Sequence, residues 1–77
     1  MNAKRFVARY IMYKVNKNKD PVPFKELLKQ ASKKKISETE LQEIVKELER
    51  EGYVSIELGE SLMIKPIKER EDFGKIK

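Results

Sequence analysis

Apolar positions recur along this chain with two different periods. Leu41, Ile44, Val45 and Leu48 fall at i, i+3, i+4 and i+7, one stripe of a helix with 3.6 residues per turn. Ser37 and Glu40 stand before the stripe at capping-box spacing, and Ile36 and Leu41 flank them as a hydrophobic staple. Gly52 and Tyr53 close the segment in the manner of a Schellman stop, with Tyr53 packing back on Leu48. The pattern predicts a helix over residues 37–51. Beyond Gly52 the period changes to two. Val54, Ile56 and Leu58 alternate with Tyr53, Ser55 and Glu57, which predicts a half-buried strand. Gly59, Glu60 and Ser61 form a turn, and Leu62 to Ile67 the return strand. A two-residue loop would set Met63 and Lys65 on the face of Ile56 and Val54. A three- or five-residue loop sets Leu62 by Leu58, Ile64 by Ile56 and Pro66 by Val54. The second register gathers the apolar residues on one face, and a slip of one residue would undo it. Pro66 cannot donate to a ladder, so this strand is expected at an edge or to end there.

The first half of the chain reads as two helices. Asn2 can cap a helix from about Ala3 to Asn16, with Phe6, Val7, Tyr10, Ile11 and Val15 on its buried side. Met12 and Tyr13 widen its apolar surface beyond one stripe. Such a helix either sits centrally or meets a second chain, which makes Phe6, Tyr10, Met12 and Tyr13 candidate homodimer contacts. Residues 16–20 are a polar loop, and Pro21 and Pro23 confirm the break. Val22 between them is a candidate for a very short strand. Phe24, Leu27, Leu28 and Ala31 repeat the helical spacing, and that helix ends around residues 32–34. The short connection to the next helix is a helix-turn-helix arrangement. Residues 68–77 are charged apart from Phe73 and Ile76, and are expected as a frayed tail or a short helical extension.

Composition narrows the chemistry. The chain has 77 residues, enough for one modest core, and no Cys, His or Trp. A disulfide framework is excluded, and a zinc site is not expected. Neither a phosphate-cradling glycine loop nor a nucleophile motif is present, so neither an enzyme nor a cofactor is expected. No apolar run approaches the roughly 20 residues of a membrane span, and no secretory leader is visible, so no membrane association and a cytoplasmic location are expected. Heavy use of Lys and Glu is similar to the composition of hyperthermophile proteins. Lys plus Arg is 18 against 13 Asp plus Glu, and the net charge of +5 favours a polyanionic partner.

Three helices followed by a β-hairpin, with a tight turn between the second and third, resembles a winged helix-turn-helix domain. The resemblance covers residue 3 to about residue 67 and makes 68–77 a charged tail outside the domain. Its most specific passage is Glu47-Leu48-Glu49-Arg50-Glu51-Gly52-Tyr53-Val54, a helix ending in Leu-x-x-x-Gly-Tyr before a strand. Small archaeal, plasmid and viral regulators look like this, as does the C-terminal winged helix of the archaeal replicative helicase. The resemblance implies an α+β fold with a two-stranded β-hairpin wing, and double-stranded DNA as partner. The third helix would enter the major groove and the wing would touch backbone or minor groove, as in a dimeric transcriptional regulator. Winged helices also serve as protein-interaction modules.

The third helix is an ambivalent DNA reader. Its six carboxylates against Lys46 and Arg50 make it −4, leaving +9 on the rest of the chain. A negative helix is awkward beside phosphates. Its outermost face is nonetheless mixed, because Thr39, Glu43, Lys46 and Arg50 lie opposite the apolar stripe, with Gln42 next. Thr39, Gln42, Lys46 and Arg50 are types that reach base edges or phosphates. Positive charge is concentrated at Lys33, Lys34 and Lys35 in the turn before the helix, next to Ser37. Lys65 and Lys68 are on or after the wing, Lys4, Arg5 and Arg9 on the first helix, and Lys25 and Lys29 on the second. The wing tip, residues 59–61, has no Lys or Arg, unlike a common DNA-binding wing. Two readings therefore stand. One is a DNA-binding regulator using Lys33, Lys34, Lys35, Ser37, Thr39, Gln42, Lys46, Arg50 and Lys65. The other is a protein-interaction module using the acidic flank of the third helix or the apolar first helix.

Overall fold

Most helix boundaries in the computed structural model, which describes residues 2–76, have a local cause. The Asn2 side chain accepts the Arg5 N–H, and α1 follows over Ala3–Lys14. It stops before the expected Asn16 because Val15 turns extended and buries its side chain. The Asn16 carboxamide oxygen then accepts the N–H groups of Asn18 and Asp20 (3.0 and 3.2 Å), an alternative to helix that asparagine favours. A two-residue strand β1, Val22–Pro23, leads into α2, Phe24–Lys33. Ser37 caps α3, Glu38–Arg50, by accepting the Glu40 N–H at 3.1 Å. The reciprocal bond from Glu40 is not among the hydrogen bonds of the described residues, so half of the expected capping box forms. Gly52, at φ 83°, ends α3. The Tyr53 N–H reaches the Leu48 carbonyl (2.9 Å) and the Gly52 N–H the Glu49 carbonyl (3.0 Å), a complete Schellman stop.

Strands β2, Val54–Leu58, and β3, Leu62–Pro66, pair antiparallel with Leu58 opposite Leu62, Ile56 opposite Ile64 and Val54 opposite Pro66. This is the register that puts the apolar residues on one face. The expected two-stranded hairpin is one strand short. β1 joins β3 through Val22 opposite Ile64, giving a three-stranded antiparallel sheet in the order β1-β3-β2. Proline after Val22 biases that residue to extended backbone, and its burial rewards the pairing.

Pro66 is the last residue of β3, as one of the two expected alternatives has it, although β3 is the central strand and not an edge, and alternation of the ladder explains how. The Ile67 N–H bonds to the Tyr53 carbonyl at 2.8 Å, so odd-numbered residues carry the β2–β3 bonds. The donor that Pro66 lacks would point to the other side, past the last β1 pair.

Among the described residues the architecture is α+β, four helices and one sheet. The core gathers Val7, Ala8 and Ile11 from α1, Leu27 and Ala31 from α2, the α3 stripe, and Val54 and Ile64 from the sheet. Ala8 is fully buried, while Phe6 and Tyr10 are half-buried. The buried face of α1 is therefore rotated away from its larger side chains.

The charged stretch after residue 67 also reaches this core. Glu69 and Asp72 form a capping box for a fourth helix, α4, Arg70–Phe73, which packs on α1. Phe73 is fully buried, 5.5 Å from the Tyr53 ring, and Ile76 is buried beside the same core. The Arg70 guanidinium donates to the Val15 carbonyl at 2.8 Å, and Lys19 pairs with Glu69 at 2.9 Å. Lys77, the last residue of the expected tail, lies outside the described residues.

Candidate functional site

The turn between α2 and α3 is a second Schellman stop, built without glycine. The Ile36 N–H reaches the Ala31 carbonyl (3.0 Å) and the Lys35 N–H the Ser32 carbonyl (3.1 Å). Lys35 takes the left-handed position at φ 61°. Buried Ile36 anchors the far side, and Lys33, Lys34 and Lys35 are all exposed. Three cations are thus held on a short, hydrogen-bonded turn, and none of them pairs with a carboxylate among the described residues.

Lys34 links the turn to α1. Its Nζ stands 5.8 Å from the centroid of the Phe6 ring, a cation–π contact. Phe6 also lines an open groove of about 380 Å³ with Asn2, Arg5 and Arg9. Neither arginine has a carboxylate partner among the described residues, and the buried Arg9 Nε has no hydrogen-bond acceptor. Arg5 and Arg9 therefore line one concavity with no acidic residue in its wall, and Lys34 approaches it only through the Phe6 ring. The sequence placed these groups on separate elements, and neither arginine stood among the predicted contacts.

Thr39, Gln42, Lys46 and Arg50 are all exposed on α3. From Thr39 to Arg50 the row extends about 16 Å, eleven residues at 1.5 Å rise. Gln42 and Lys46 also line a cleft of about 260 Å³ between α3 and the sheet, with Phe24, Val45, Ile56 and Leu62. Ser37 is exposed, but its oxygen is engaged as the cap of α3. Lys65 does not join the group. It lies between buried Ile64 and Pro66, and strand alternation directs it to the sheet face away from the helices.

The acidic flank of α3 is partly neutralised from within. Lys4 Nζ sits 2.9 Å from Glu47 Oε1 and 2.9 Å from Glu51 Oε1, clasping α1 to α3. The Glu51 hydrogen bond is the main cause that raises the Lys4 pKa above its ordinary value, against a smaller opposing effect of burial. Lys4 is consequently unavailable to an outside anion, and two of the six helix carboxylates are committed.

The four α1 residues considered for a dimer differ in their surroundings. Phe6 lies under Lys34. Tyr10 is half-buried beneath the Lys14 ammonium, 5.7 Å from its ring, and burial is the leading cause raising its pKa. Met12 is half-buried against Gly74, where an added methyl would stand 3.5 Å from its sulfur. Tyr13 alone of the four is exposed, at 75%.

The hairpin end carries an apolar side chain that strand alternation had assigned to the covered face. Leu58 is 85% exposed. No cluster of metal-ligating side chains occurs among the described residues, and no helix there is long and apolar enough to cross a membrane. Comparison of the chain with family models, with curated proteins and with solved structures finds no match in any of the three.

Proposed function

We propose that this chain binds double-stranded DNA as a winged helix-turn-helix regulator. The observation that carries the reading is the unpaired lysine turn at the start of α3, joined through Lys34 to the Arg5 and Arg9 groove. Phosphate neutralisation by Lys and Arg supplies most non-specific affinity, and with α3 inserted the lysine turn would meet the backbone beside it, the Arg5 and Arg9 groove adding two more cations. Thr39, Gln42, Lys46 and Arg50 then face the groove edges, where residues of these types read bases. The Lys4 clasp removes part of the objection raised by the −4 helix.

The test is a duplex titration across several salt concentrations. Binding should weaken steeply with salt, and Lys33→Gln, Lys34→Gln and Lys35→Gln should each flatten the log–log slope by about 0.9 for every phosphate no longer neutralised. Absence of binding at low salt, or a slope unchanged in the triple variant, overturns the reading. A protein-interaction role for the hairpin is the second reading. It is favoured by exposed Leu58 lying between Glu57 and Glu60, with no cation at the tip.

A further inference from the structure

The outer edge of β2 is an open template. The order β1-β3-β2 leaves β2 at the margin of the sheet. Odd-numbered residues bond to β3, so the N–H and C=O groups of Val54, Ile56 and Leu58 point outward. Among the described residues no loop or helix bonds to them from outside the sheet. Natural edges are usually blunted by proline, lysine or a bulge. Strand β2, Val-Ser-Ile-Glu-Leu, has neither proline nor lysine, and its last side chain, Leu58, is 85% exposed.

We infer that a second copy of this chain pairs on that edge, β2 against β2 in antiparallel sense, to make a two-fold dimer with a continuous six-stranded sheet. The sequence of the strand selects the register. A two-fold axis through Ile56 sets Val54 opposite the partner's Leu58, Ile56 opposite the partner's Ile56, and Ser55 opposite the partner's Glu57. Every outward backbone group of the three even residues then has a partner. The apolar row continues from one sheet into the next and covers Leu58. Shifting the axis to Glu57 sets the two glutamates directly opposite, which is destabilising. Shifting it to Ser55 leaves Leu58 facing a glycine. Charge pattern and apolar cover thus agree on one register. The competing dimer surface on α1 is reduced to Tyr13, since Phe6, Tyr10 and Met12 already have neighbours within the chain.

In this register the two Glu57 side chains stand on a diagonal of about 7–8 Å, and each copy carries +5. Salt screens both repulsions, so added salt tightens the dimer while it weakens DNA binding. The inference does not depend on DNA being the ligand.

Sedimentation equilibrium of the full chain in the absence of DNA, over a range of concentrations and salt, tests it. Twice the chain mass should appear at high concentration and be favoured by salt. Leu58→Lys should weaken association roughly a hundredfold, because a symmetric interface buries that side chain twice, with its circular dichroism and melting midpoint unchanged. Glu57→Gln should tighten it. Amide exchange at Ile56 should slow as the dimer forms. A chain monomeric throughout at high salt overturns the inference, as does a dimer that survives Leu58→Lys or is abolished by Tyr13→Lys.

Discussion

Lys35 and Gly52 occupy the same place in two helix stops, at φ 61° and 83°. Glycine suits that backbone, whereas a lysine there carries a strain of roughly 1 kcal/mol. Lys35→Gly should therefore raise stability by about that amount, measured by urea denaturation, while lowering duplex affinity if the turn lies on phosphates. Gly52→Ala should lower stability by about 1 kcal/mol through the same effect. The two prolines of the sheet show the same dependence on position, since each is tolerated where its missing donor falls outside a ladder. Lys4 belongs to this scale too. Its folded pKa lies above the ordinary 10.5, so its clasp stabilises the fold fully below that pH and is lost as pH rises through the higher folded value. Lys4→Met should cost under about 1 kcal/mol, because the two carboxylates are nearly half exposed. The stability difference between wild type and variant should be constant near neutrality and close in strongly alkaline buffer.

Among the elements, α3 and α4 differ most in how plainly their sequences announce them. The α3 stripe, its Ser37 cap and its glycine stop are all local signals, and each appears in the structure at the expected residue. The α4 segment has four helical residues and two apolar side chains in a charged stretch. No periodicity can emerge from so short a run, and its burial depends on Tyr53 and α1, distant in sequence. Phe73→Ala should cost about 3–5 kcal/mol, a large part of the stability of a small domain. The drop in denaturation midpoint would measure it, and an exposed, frayed tail would show almost none. The same packing explains one of the two residues that widen the apolar surface of α1, Met12, but leaves Tyr13 exposed. Met12 meets the chain's own C-terminal segment, so that residue needs no second copy.

For the whole molecule, the two proposed associations, with duplex DNA and with a second copy, differ in the sign of their salt dependence. The +5 chain collects unpaired cations around the α2–α3 turn and keeps the end of the hairpin apolar and acidic. Duplex affinity should fall with salt and self-association should rise, and both trends can be followed on one preparation by titration and by sedimentation. Much of this was legible without coordinates. Short-range physics is written in consecutive residues, so the three main helices, the Schellman stop after α3, the hairpin register and the lysine run in a turn all followed from spacing and residue type. Long-range packing is not written that way. Which side of α1 is buried, that Val22 extends the sheet, and that Lys34 reaches Phe6 beside the Arg5 and Arg9 groove each depend on elements far apart in the chain. Lys4 reaching across to Glu47 and Glu51, and Phe73 closing the core, were decided in the same way. Residue type and spacing prescribe α2, α3 and the hairpin, whereas which charges are committed inside the fold and which are left unpaired follows from distances that no local pattern encodes.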